Sequence, residues 1–206
     1  MKTVNRKIAF WRVIVPATGA AILAYVILAF VFGPDAIRGS TSPAYAFHGC
    51  RYDPNSIEPI SYRFFSVGSD YETAFQEAEE EWDDTTAPGY FSEQPSSLDP
   101  EINVTDDALM DQWAAVVLIE CVIPVGSTFG NYRGNEVELR FNTSEMDDLS
   151  VSDKILVAIH EIGHAYGLWH VSTGCRLMRQ NLNVYNSCGS TMPTADDIAG
   201  VAAIYP

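Results

Sequence analysis

Apolar and polar positions alternate over residues 60–64 (Ile-Ser-Tyr-Arg-Phe), a period of two that predicts a strand with one buried face. The period then lengthens. Tyr71, Ala74, Phe75, Ala78 and Trp82 recur at helical spacing, so a helix is expected to bury that stripe while Glu79, Glu80 and Glu81 mainly solvate the other side. Ser69-Asp70-Tyr71-Glu72 reads as its capping box. Strands are expected next at 101–104 and 114–122, the second almost continuously apolar. Gly126, Gly130 and Gly134 mark a flexible connection, and Val137, Leu139 and Phe141 share one face of a further strand at 136–142. Ser150 and Asp153 cap a second long helix, apolar on all sides at 155–159, which is the pattern of a buried helix. Thr194 and Asp197 cap a last helix ending near Tyr205. This order of elements predicts an α+β sandwich on a twisted mixed β-sheet, with a buried helix and a C-terminal helix.

The same hydropathy reading sets the first residues apart. Lys2, Arg6, Lys7 and Arg12 precede an apolar stretch at about 13–33, broken only mildly by Pro16, Thr18 and Gly19. About twenty apolar residues span a bilayer, and Ala44-Tyr45-Ala46 is a small-x-small cleavage site, so a signal peptide cut after Ala46 and a retained membrane anchor both fit. Either way the basic end stays inside, and one domain at 47–206 is exported, secreted or anchored.

Charge narrows the partners. Only Asp35 of the 27 acidic residues precedes Phe47, whereas five of the 12 basic ones do, leaving the exported part at −19 with Lys154 its only lysine. Nucleic acid is excluded as a partner, because its binding rests on phosphate neutralisation. The acidity reads as a solvated surface; calcium binding and adaptation to salt are alternatives, and no D-x-D-x-D-G loop supports calcium. Membrane contact is expected only through the N-terminal segment, and the chain is expected to act as a monomer. Cys50, Cys121, Cys175 and Cys188 all fall in the exported part, and an even count in an oxidising compartment implies two disulfides. The expected pairs are Cys175–Cys188 and Cys50–Cys121, with a zinc-binding thiolate at Cys50 as the rival reading.

The chemistry is concentrated at residues 160–170, which read H-E-x-x-H-x-x-G-x-x-H and hold three of the four histidines. On a helix His160 and His164 lie one turn apart on one face, so two neutral imidazoles can converge on one ion. Gly167 permits the left-handed backbone that stops the helix and returns His170 as a third ligand. Three nitrogen ligands with an open fourth position describe a catalytic zinc site, not a structural one. Glu161, beside them, is placed to act as general base.

This motif is that of the metzincin metallopeptidases, and the chain resembles the matrixins among them over most of residues 58–206. Met178, eight residues past His170, stands at the spacing of their methionine turn. Residues 196–205 (Asp-Asp-Ile-Ala-Gly-Val-Ala-Ala-Ile-Tyr) resemble the closing helix, and 61–64 followed by a helix to Trp82 resembles the opening. The resemblance implies a metzincin-like (zincin) fold, and a sheet edge near 114–122 where an extended substrate adds by backbone pairing. There are departures. Val171 replaces the usual serine, and Arg179-Gln180-Asn181 replaces the family's specificity wall. Gln180 offers no phenol to the metal, and His48 alone cannot build a second zinc site, so one zinc is expected.

The function these readings imply is an exported zinc-dependent endopeptidase acting on protein or peptide substrates. A zinc hydrolase of a non-protein substrate is one alternative. A non-catalytic, zinc-stabilised binding or adhesion domain is another, although a purely structural site has no use for Glu161.

Overall fold

The computed structural model describes residues 45–55, 57–95, 99–109, 113–181 and 191–206. The apolar stretch at 13–33 therefore lies outside the described residues, and among them no helix is long and apolar enough to cross a membrane. Eight strands and four helices follow in the order β1 (Ala46–Phe47), β2 (Cys50–Arg51), β3 (Ile60–Phe65), α1 (Ser69–Asp83), β4 (Phe91–Glu93), β5 (Ile102–Asp107), β6 (Ala115–Val122), β7 (Gly130–Asn142), α2 (Thr143–Met146), α3 (Val151–Tyr166), β8 (Leu168–Trp169) and α4 (Ala195–Ile204) among those residues.

The main sheet is mixed, as the element order predicts. Its strands lie in the order β4-β3-β5-β7-β6, with β3, β4, β5 and β7 parallel and β6 antiparallel to β7. β2 adds a short parallel pairing at the start of β7, where Cys50 meets Gly130. Among the described residues no strand pairs the outer edge of β6, which is an edge of the sheet. β6 alternates more than its sequence suggests: Ala115, Val117 and Ile119 are buried, whereas Val116, Leu118 and Glu120 are half-buried. β7 begins six residues earlier than the apolar alternation indicates, because backbone pairing with β6 and β2 extends it through polar and glycine positions.

Helix α1 buries the expected stripe, with Phe75 against Tyr62 and Phe64 of β3, and Tyr71 stacked on Phe141 of β7. Two details differ from expectation. Ser69 is the first helical residue, and Gly68 is the N-cap without a side-chain cap bond. The Gly68 carbonyl takes the Tyr71 and Glu72 amides, while its own N–H donates to Asp106, so backbone and a neighbouring strand do the work assigned to Ser69. Glu79 is not only solvent-facing either: it accepts the Tyr62 hydroxyl at 2.7 Å.

Helix α3 packs against α1, β6 and β7, and is buried from Leu156 through Tyr166. Ser150 caps it by accepting the Asp153 amide, and Gly167 ends it in the left-handed region at φ 111° and ψ 1°. Thr194 and Asp197 cap α4 as expected. Gly167 carries two constraints at once. A Cβ there lies 2.7 Å from the Cys50 carbonyl oxygen and 3.2 Å from Ile204 Cδ1, in addition to the left-handed backbone. Gly167→Ala is therefore expected to cost about 2 kcal/mol or more, read as a lower urea midpoint at unchanged slope.

Candidate metal centre

Residues 160 and 164 are one turn apart on α3, and the Gly167 turn sends the chain back through β8 to His170. The three Nε2 atoms converge: His170 Nε2 lies 3.1 Å from that of His160 and 3.0 Å from that of His164. Their outer nitrogens explain why. His160 Nδ1 donates to the Leu177 carbonyl and His164 Nδ1 to the Leu168 carbonyl, each at 2.8 Å. A proton held at Nδ1 leaves a lone pair at Nε2. With the Nε2 lone pairs of His160 and His164 both turned toward His170, the cluster of imidazole nitrogens fits a borderline-soft divalent ion such as zinc. Among the described residues this is the one cluster suited to a metal.

Burial adds to that fit. His160 and His164 are buried and His170 partly so, which leaves one side of the cluster reachable. Burial pulls His160 down to about 4, and burial with neighbouring imidazoles pulls His164 and His170 well below the usual range, so all three stay neutral at ordinary pH. Glu161, 2 % exposed, has its carboxyl pushed up to about 8 by burial. A cation on the adjoining imidazoles opposes that shift by favouring the carboxylate.

The turn at residues 176–179 supports the histidines. Met178 is buried below them with its Sδ against Gly163: a Cβ on Gly163 stands only 2.5 Å from that sulfur. The Met178 carbonyl accepts from Val171 N–H, next to His170, at 2.9 Å. Asp197 ties this turn to α4. One of its carboxylate oxygens accepts from Leu177 N–H at 3.0 Å and from the Thr194 amide and hydroxyl, so the cap of α4 also holds the residue whose carbonyl orients His160. Sequence reasoning singled out Met178 and the Asp197 cap, and missed Gly163 and the Asp197–Leu177 bond. A glycine inside an otherwise apolar helix costs about 1 kcal/mol against alanine, and that was the available signal for Gly163.

Cys50 pairs with Cys121 as expected, across a Cα–Cα distance of 6.0 Å. That bond overturns the rival reading of Cys50 as a zinc-binding thiolate, since its sulfur is not free. Cys175 is also disulfide-bonded, and Cys188, its expected partner, lies outside the described residues. Among the described residues His48 joins no second metal cluster; its Nε2 donates to the His164 carbonyl at 2.9 Å.

The sequence matches the matrixin family over residues 59–206. No curated protein matches the chain. Among solved structures, one myroilysin structure is 20% identical with a TM-score of 0.41, covering 61% of this chain and 54% of its own, so the chain spans about half of that relative. A second myroilysin structure is 15% identical with a TM-score of 0.47, covering 84% and 100% of the two chains. The zinc-protease hatching enzyme high choriolytic enzyme 1 of the medaka fish Oryzias latipes is 13% identical with a TM-score of 0.47, covering 83% and 98%.

Overpacking tests the seat of Met178. Gly163→Ala is expected to lose about 1–3 kcal/mol despite its better helix propensity, because the new methyl meets sulfur. Met178→Ala in the same chain should return part of that loss, a positive coupling readable in a double-mutant cycle by urea unfolding.

Proposed function

The chain belongs to the matrixin family of zinc-dependent metallopeptidases, and from that premise we propose that it is an exported endopeptidase in which His160, His164 and His170 hold one zinc ion and Glu161 is the general base. The carrying observation is the convergence of three imidazole nitrogens on a helix that also buries the Glu161 carboxyl. Zinc bound there supplies Lewis-acid polarisation of the scissile carbonyl and a lowered pKa for water. Glu161 accepts a proton from the attacking water as the new carbon–oxygen bond forms. It returns that proton to the amine nitrogen as the carbon–nitrogen bond breaks. The Leu177 and Leu168 carbonyls keep the imidazoles of His160 and His164 from rotating away during this cycle.

The open edge of β6 suits an extended peptide, which adds as a further strand by backbone pairing and tolerates many side chains. Export is supported by the disulfides, which form in oxidising compartments, and by the acidic, lysine-poor domain that follows the basic and apolar N-terminus. Residues 1–46 are read as signal peptide or anchor and 47–206 as the peptidase domain. A cut after Ala46 leaves Phe47 paired with Leu168 and removes the Ala46–Trp169 pairing and the ring contact of Tyr45 with Phe47.

Incubating the purified protein with a mixed peptide library is expected to give internal cleavages that a chelator abolishes and added zinc restores. Products unaffected by chelation would sink the zinc mechanism, and intact peptides would favour the binding domain or a non-protein substrate. Glu161→Ala should keep its zinc while losing at least about two orders of magnitude in rate; a variant of undiminished rate removes Glu161 from the chemistry.

A further inference from the structure

The segment from Tyr45 to Tyr52 has no part in the chemistry above, yet it is bonded to both sides of the turn that separates His164 from His170. On the helix side, His48 Nε2 donates to the His164 carbonyl at 2.9 Å, and the His48 backbone N–H donates to the Gly167 carbonyl at 3.1 Å. On the other side, Ala46 and Phe47 pair with Trp169 and Leu168, the two residues that lead into His170. The His48 ring is itself held, since Nδ1 accepts from the Cys50 N–H at 3.2 Å and the Tyr132 hydroxyl lies 3.3 Å from Nε2. Farther along, Arg51 donates to the Ile204 carbonyl and the Tyr52 N–H to the Tyr205 hydroxyl. The strap is thus fastened to α3, β8 and α4, and the disulfide bolts it to Cys121 on β6.

We propose that this strap, locked by the Cys50–Cys121 disulfide, sets how firmly the three histidines hold their metal, with His48 as the positioning residue for the turn between His164 and His170. The inference rests on the metal-centre reading above. Five residues lie between the two ligands, and the glycine among them lets the strand swing against the helix; the strap bonds to both. Its own pairings, β1 with β8 and β2 with β7, are two residues long and too short to persist alone. The covalent tie keeps them in place. A trialkylphosphine opens it: the sulfur–sulfur bond takes two electrons, water supplies the protons of two thiols and the oxygen of the phosphine oxide, and the freed strap lets the ligands part more often.

Zinc-loaded protein mixed with an excess of chromogenic chelator reads metal release directly, apart from any peptidase activity. His48→Ala and the Cys50→Ala/Cys121→Ala double variant are expected to release zinc about ten-fold faster, and phosphine should speed the unaltered protein similarly. His48→Gln, which restores a donor near the Nε2 position, should return release close to the original rate. Val104→Ala, a core truncation in β5, should lose stability in urea without faster release. If the alanine variants do not fold, phosphine on the folded, zinc-loaded protein still carries the test. Release unchanged by phosphine in that protein, or unchanged in a folded His48→Ala, overturns the proposal. So does equal acceleration by Val104→Ala, or phosphine acting as strongly on the double variant. Unaltered protein that retains no zinc overturns the metal-centre reading and this inference with it.

Discussion

The Nε2 atoms of His160 and His164 both close on that of His170, at 3.1 and 3.0 Å, and much of the surrounding fold bears on holding the three imidazoles there. The restraint comes from behind the rings. Carbonyls of Leu177 and Leu168 take the Nδ1 protons of His160 and His164, which sets both the tautomer and the direction of the free lone pair. Those carbonyls stay put because their own segments are held: Leu177 by the Asp197 carboxylate, and Leu168 by pairing with Phe47. The cluster of three imidazoles therefore depends on a frame reaching into the N-terminal strap and the last helix.

The end of α3 shows the same logic at backbone level. The last carbonyls of a helix have no partner within it, and a buried end cannot turn to water. Here each is met from elsewhere. His48 donates to the His164 carbonyl, Tyr132 to that of Ala165 and Tyr205 to that of Tyr166, while Gly167 closes back onto His164. A buried carbonyl left unpaired costs about 1–3 kcal/mol, so these side chains stabilise the helix end as they fix the position of His164. Stability and ligand geometry are served by the same bonds.

Legibility in the sequence followed the range of the interaction. The helical stripe from Tyr71 to Trp82, the Ser150 and Thr194 caps and the left-handed Gly167 were readable because each is decided within a few residues. Ser69 misled, since its capping pattern is local but Gly68, with Asp106 of β5 on its amide, begins the helix instead. The start of β7 was missed for a related reason: residues 130–135 lack alternation, and pairing partners on both sides extend the strand. The family resemblance correctly anticipated the β6 edge, which periodicity alone does not identify.

What the sequence determined by itself is the donor set, its spacing and the turn that folds it back, because those depend on residue type and on helix period. Cysteine count and an oxidising compartment implied two disulfides, of which the favoured Cys50–Cys121 pair is formed. What only the tertiary structure decided is which distant groups answer the demands of that site. Gly163 opens room for the Met178 sulfur, Asp197 holds Leu177 and His48 holds His164. The acceptors in question are backbone carbonyls, which every residue carries, so no residue type announces the need. It arises only when α3 is buried and its end is closed off from water.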